Sequence, residues 1–215
     1  MESSTMIRTI ADFAPDGTES GVGLVLQDDD DHYLFFLAGT RNRCPPGELF
    51  YAGIGGHREA GEDWLMCAHR EAKEEVGTDI DILPVPVTWY VPQQGPVQRV
   101  EVSDQPRPFA LYEMIHPPDT PRAGKLYRIV IFKARLHDKP KDLPPDEVQG
   151  IIALTKDQVA QGLERKPLLA ELLDEGALLI AGEKSVDRQV RLYPLGTARA
   201  LAHLLRQVDE AQVGE

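Results

Sequence analysis

Three glutamates in one short segment constrain this chain more than any other feature. Within residues 55–77, Glu71, Glu74 and Glu75 stand at i, i+3 and i+4, so a helix gathers their carboxylates on one face. Like charges at that spacing weaken an isolated helix by roughly a few tenths of a kcal/mol per pair. A divalent cation with oxygen ligands is the natural candidate to offset the repulsion. The segment carries its own helix signals. Asp63 is a candidate N-cap after the Gly61 turn, and Leu65, Ala68, Ala72 and Val76 form an apolar stripe. Gly77 follows the last periodic residue, where a left-handed residue stops a helix. Upstream, residues 49–54 read as a strand entering the Gly55-Gly56 turn. Strand, turn, loop and acidic helix in that order let backbone carbonyls and carboxylates converge on one point.

A solvated face is the usual meaning of a single acidic cluster on a helix. Here further residues fall at fixed offsets. Gly56 is followed after five residues by Glu62, after seven more by Arg70-Glu71, and then by Ala72, Lys73, Glu74-Glu75, Val76 and Gly77. This pattern resembles the signature of the Nudix hydrolase family, with every polar and glycine position matched. Two apolar positions depart from it, since Ala72 is small and Thr78 stands where an aliphatic residue is usual. The resemblance implies that Glu74 and Glu75 are the principal ligands of Mg2+ or Mn2+. It makes Glu71 a further ligand or the base that activates water, and assigns the Gly55 carbonyl to the metal shell. Arg70 and Glu62 would pair and fix the loop on the helix. The chemistry needs such a platform, because a metal bridging diphosphate oxygens neutralises their charge and lowers the pKa of a bound water.

Composition fits an ordinary enzyme. A chain of 215 residues with 42% hydrophobic content can bury a substantial core. The net charge of −12 argues against a nucleic-acid surface and against anionic membranes. No apolar stretch reaches the roughly 20 residues of a membrane span, and the first residues lack a signal-peptide core. Cys44 and Cys67 show no framework of pairs and read as reduced thiols of a cytoplasmic protein. The six histidines show no paired ligand spacing, and His69 reads as structural or exposed.

Residues 21–26 and 32–38 read as a hairpin around the acidic turn 28–31, and 126–134 as the central strand of the second half. Residues 84–91 read as an edge strand interrupted by proline, followed by a proline-rich stretch over 92–121 with strand character at 107–114. A loop at 144–150 enters a strand, and Thr155 caps a helix. The order of these last elements also resembles Nudix domains, which makes Glu147 a candidate extra ligand or base beside its reading as an exposed loop residue. The resemblance covers residues 20–165. Beyond it, 167–179 and 197–208 read as amphipathic helices around a strand at 188–192.

The expected fold is therefore a Nudix-type α/β/α sandwich with a mixed central sheet, over residues 1–165. A mainly helical extension, 166–215, packs on the same domain or on a second subunit, which leaves a homodimer open. The expected activity is metal-dependent hydrolysis of a nucleoside diphosphate linked to another moiety, a small-molecule substrate. A nucleotide-sensing module that does not cleave is the alternative, and the intact glutamates speak against it. An allylic diphosphate isomerase would want a cysteine nucleophile with a matching acid, which Cys44 and Cys67 do not suggest. Specificity markers are weak. Residues 103–109 partly resemble the Ser-Gln-Pro-Trp-Pro-Phe-Pro run of NADH pyrophosphatases, with an inserted Asp104 and Arg107 in place of tryptophan, and the ADP-ribose proline is replaced by Gln93-Gln94. Arg41, Arg43 and Arg58 are candidates to pair with phosphates, and Trp89, Tyr90 and Tyr112 to stack on a base. For each of these, surface or core packing is the competing reading.

Overall fold

The fold is taken from a computed structural model that describes residues 7–116, 118, 122–182 and 186–213, with backbone alone over 208–213. The first elements are α1 (Ile10–Phe13), β1 (Ser20–Gln27), β2 (Tyr33–Ala38), β3 (Glu48–Ala52), α2 (Trp64–Val76), β4 (Ile80–Ile82), β5 (Thr88–Val91) and β6 (Gln98–Val100). The chain continues through β7 (Ala110–Ile115), β8 (Leu126–Leu136), β9 (Val148–Leu154), α3 (Lys156–Gln161), α4 (Leu169–Asp174), β10 (Leu178–Ala181), β11 (Arg191–Pro194) and α5 (Gly196–Val213).

Among the described residues all strands join one 11-stranded sheet with the path β10-β9-β2-β1-β8-β7-β5-β6, from which β3 and β11 branch at β2 and β4 at β8. The sheet is mixed. β1 runs parallel to β8 with Gly21 opposite Ile129 and Leu24 opposite Phe132, whereas β7 is antiparallel to β8 with Leu111 opposite Val130. Alternation along each strand separates two cores. Val22, Leu24, Leu26, Val130 and Phe132 pack with Ala68, Ala72 and Val76 of α2 on one face. Val25, Ile129 and Ile131 pack with Ala198, Leu201 and Leu205 of α5 on the other. The result is helix, sheet and helix in three layers.

Residues after 165 do more than add helices. β10 pairs with β9, β11 runs parallel to β3, and α5 covers the second core. The expected helix 167–179 divides into α4 and β10, because Gly176 adopts φ 103° and turns the chain back to the sheet. The strand expected at an edge over 84–91 also differs. It is confined to β5, after Pro84 and Pro86, and lies inside the sheet because β6 pairs with its outer side. Pro117 and Pro121 of the proline-rich stretch lie outside the described residues.

The start of α2 is fixed by Asp63, whose Oδ1 accepts from the Met66 N–H at 2.7 Å. Gly77 ends the helix with φ 68°. Replacing Asp63 with alanine should lower stability by about 1 kcal/mol, the usual value of an N-cap. Urea unfolding monitored by circular dichroism checks this, and an unchanged midpoint would show that α2 needs no cap.

Candidate active site

The sheet delivers a turn and the helix delivers carboxylates to it. β3 ends at Ala52, and residues 53–57 run beside β1, with the Val22 N–H donating to the Gly56 carbonyl at 2.9 Å and the Leu24 N–H to the Ile54 carbonyl at 2.8 Å. A Cβ on Gly56 would collide with the Glu71 carboxylate, so a larger residue there would displace that side chain from the turn. Ala68 and Ala72 are fully buried beneath α2. Small side chains at these positions let the helix approach the sheet closely, which accounts for the departure at Ala72. Thr78 is also buried, but its hydroxyl donates to the Asp79 carbonyl at 3.4 Å and accepts from the Asp138 N–H at 3.1 Å. A polar residue is tolerated there because its hydrogen bonds are made.

Arg70 organises the loop side of the helix. Its Nε and Nη2 donate to Oε1 and Oε2 of Glu62 at 2.8 and 3.0 Å, the two-pronged geometry that suits a guanidinium. Nη1 reaches Glu71 at 2.8 Å and Glu74 at 3.0 Å, and Nη2 also donates to the His57 carbonyl at 3.0 Å. Part of the repulsion among the glutamates is therefore offset within the protein. Arg70 holds the Glu62 carboxyl down at about 2.

The carboxylates differ in setting. Glu74 is 57% exposed, while Glu71 is 12% exposed at its side chain. Glu75 is buried, and its Oε2 accepts from the Gly55 N–H at 2.8 Å. Burial pushes the Glu75 carboxyl well above its ordinary range, against the lowering effect of that N–H, and the charges of Glu71 and Glu147 push further. Burial also raises Glu71, countered by Arg70 and reinforced by Glu74 and Glu147. Glu147 comes from the loop before β9, and Arg41 from the loop after β2, with Nη1 to Oε1 at 2.6 Å. The Gly39 N–H holds the Glu147 carbonyl at 2.8 Å, which ties the two loops together. Glu147 thus lies near enough for its charge to act on Glu71 and on Glu75, a buried group that resists ionising by itself, although among the described residues these three carboxylates do not gather within 4.8 Å of one another.

The family model for the NUDIX domain matches residues 17–174. The chain belongs to the Nudix family. Among solved structures it is similar to a NUDIX hydrolase from Nitrosomonas europaea, at 20% identity over 73% of this chain and 86% of that one, with a TM-score of 0.45. A MutT protein from Methanosarcina mazei Go1 is 13% identical over 73% of this chain and 88% of that one, with a TM-score of 0.46. A Deinococcus radiodurans protein is 17% identical over 96% of this chain and 88% of that one, with a TM-score of 0.45. No match is found among curated proteins. Membership makes the chain a Nudix pyrophosphohydrolase, an enzyme class that acts on small nucleoside diphosphate derivatives. Among the described residues no helix is long and apolar enough to cross a membrane.

The other residues singled out from the sequence scatter around this Nudix box. Arg43 is exposed. Arg58 lies 4.3 Å from the Trp64 ring centroid and pairs with Asp16 at 3.7 Å. Tyr112 is 4% exposed in the core on the α5 side, and Trp89 packs partly against the same core. Tyr90 points to the opposite face, edge-on to Phe13 at 6.3 Å. It lines a cleft of about 1120 Å³ together with Arg8, Arg99, Arg107, Glu113 and Arg128. Sequence reasoning did not group these arginines, because they come from separate segments whose neighbourhood exists only in the folded sheet. The cleft contains none of the box carboxylates, and the chemistry follows the carboxylates. Cys67 is inert, since burial raises its thiol to about 12.

Two predictions follow from this geometry. Arg70→Ala should cost more than the ~1 kcal/mol of an exposed pair and approach the roughly 3–5 kcal/mol of a buried one, with turnover reduced as well. An unchanged melting temperature with abolished turnover would instead make Arg70 a group that touches substrate. The second concerns pH. Glu71 and Glu75 have carboxyls raised from 4.5, so their contribution to stability is full below that value and is lost as pH rises through the raised values. Glu62 works oppositely, stabilising above 4.5 and losing its effect as pH falls towards 2. In EDTA, the melting temperature of Glu75→Gln should therefore decline less than that of the wild type between about pH 4.5 and neutrality. Parallel curves would contradict the assignment of buried charge to Glu75.

Proposed function

We propose that this Nudix enzyme hydrolyses the diphosphate of a nucleoside diphosphate linked to another moiety, a nucleotide sugar or an ADP-ribose-like compound, with Mg2+ or Mn2+ held at the box. The observation that carries this reading is the buried Glu75 carboxylate held by the Gly55 N–H, with the charges of Glu71 and Glu147 acting on it. The donor set is all oxygen, which fits these hard cations better than a histidine or cysteine cage would. Buried carboxylates that resist ionising alone are also the groups that gain most from a bound cation.

Glu71 and Glu75 would hold the cation with the Gly55 carbonyl, since the Gly55 N–H is already given to Glu75. Glu74 is at the rim and would join after releasing Arg70. When bound, the cation neutralises diphosphate oxygens and acidifies water. Glu147, 30% exposed at its side chain and paired with Arg41, would take a proton from the attacking water. Arg41, 63% exposed, brings positive charge to the same edge, where it can meet a phosphate. Water adds across the P–O–P linkage and two phosphate-bearing products leave. The intact carboxylates favour turnover over sensing alone. The catalytic unit is residues 1–165, with 166–215 supporting it through β11 and α5.

The test is a panel of nucleotide sugars, ADP-ribose, dinucleotides and nucleoside triphosphates with Mg2+ or Mn2+, assayed for phosphate after phosphatase treatment. At least one diphosphate-linked compound should be cleaved, and Glu74→Gln combined with Glu75→Gln should reduce turnover by at least about 100-fold, the scale on which one charge-stabilising group acts. Full activity in that double variant, or in EDTA, would sink the proposal. Binding of a nucleotide without any cleavage would favour the sensing module.

Recognition is assigned to residues 90–124, which include the cleft-lining Tyr90, Arg99 and Arg107. Tyr90→Ala should raise KM for the preferred substrate about 10-fold, a loss typical of one aromatic contact, with kcat less affected. An unchanged KM and substrate ranking would place recognition elsewhere, nearest to Arg41 and Arg43.

A further inference from the structure

We infer that Glu19, His57 and His116 form a second cation site, suited to a transition-metal ion of the Zn2+ class and distinct from the box carboxylates. One ligand atom from each lies within 4.8 Å of the other two. Glu19 immediately precedes β1, His57 bridges to Gly21 from the box loop, and His116 follows β7, so three distant segments meet here. Nε2 of His116 is 3.5 Å and Nε2 of His57 is 3.8 Å from the same Oε1 of Glu19. The imidazoles lie parallel within 3°, their centroids 6.3 Å apart, and both rest on the Tyr127 ring at 4.6 and 5.1 Å. This packing fixes the rings, so both nitrogens stay aimed at the carboxylate.

A second observation points to a missing ligand. Nε2 of His116 is buried and makes no hydrogen bond. Buried polar atoms are normally satisfied by protein, water or an ion. The nearby cationic side chain is Arg122, with Nη1 2.7 Å from Glu19 Oε1 and in contact with His57 Nε2. The guanidinium thus sits where positive charge is favoured, yet leaves His116 unsatisfied. A metal ion entering the site would displace it and engage all three donors. Two imidazoles and one carboxylate with a position left over match Zn2+-class coordination, whereas Mg2+ prefers oxygen.

Such an ion would staple the box loop to β1 and β7. The His57 carbonyl already accepts from Arg70, so the staple would restrain the loop that carries Gly55 and Gly56 to the box helix. Because the ion binds the folded form, it would also raise thermal stability.

The probe is Co2+ added to chain stripped with EDTA and dialysed, followed by visible absorption and titration calorimetry, with Zn2+ as competitor. One Co2+ per chain should give visible bands, displaced by Zn2+. Those bands should persist in the Glu74→Gln, Glu75→Gln double variant and bind at least about 10-fold more weakly in His57→Gln and in His116→Gln. Arg122→Ala touches no ligand atom's own residue and removes the competing cation, so it should tighten binding several-fold. That variant decides the matter even where a histidine variant fails to fold. Bands that vanish with the box variant, or Co2+ affinity unchanged by Arg122→Ala and by both histidine substitutions, would overturn the site and leave the cluster as an ion-pair network centred on Arg122.

Discussion

The structure depends on one buried carboxylate. Glu75 reaches from α2 into the Gly55 turn, where a backbone N–H is its direct partner, and burial by itself works against its charge. Every neighbouring feature serves to keep it there. Ala68, Ala72 and Val76 press the helix onto β1 and its neighbours. Gly56 leaves room for Glu71, and Arg70 binds the loop to the helix through Glu62. The fold thereby stores an arrangement that is poorly stable in isolation and that the proposed cation would relieve.

Charge explains the rest of the design at a larger scale. A protein of net charge −12 acts on an anionic substrate class, which is workable only if positive charge is local. The structure supplies Arg70 within the box and Arg41 at its edge, each already engaged with a glutamate. A further set of arginines lines the separate cleft beside Tyr90. Positive charge is thus concentrated at a few points of an otherwise acidic protein.

Much of this was legible in the chain because its signals are local. Asp63, the apolar stripe and Gly77 define α2 within a single window, and the offsets of Glu62 and Arg70 reveal their pairing at short range. The sandwich followed from the same family pattern. What escaped the sequence is non-local or locally weak. β4 and β6 are three residues each and gain their partners from β8 and β5. The helix expected over 167–179 overlaps only the start of β10, Leu178 and Leu179, since the apolar run Leu178 to Ala181 has no polar alternation to separate the two states. Tyr112 reads as a stacking residue from its type, yet its place on β7 turns it into the α5 core. The grouping of His57 with His116 depends on the β7–β8 hairpin and the box loop meeting, which no spacing rule encodes.

The central claim is that the box carboxylates, whose charge burial disfavours, take up a divalent cation. Titration calorimetry of Mn2+ at neutral pH, repeated in buffers of different ionisation enthalpy, measures it most directly through the protons released on binding. The account predicts Mn2+ binding with net proton release, and a smaller release with weaker binding in Glu75→Gln. Binding with no proton release, equally tight in Glu75→Gln, would contradict it.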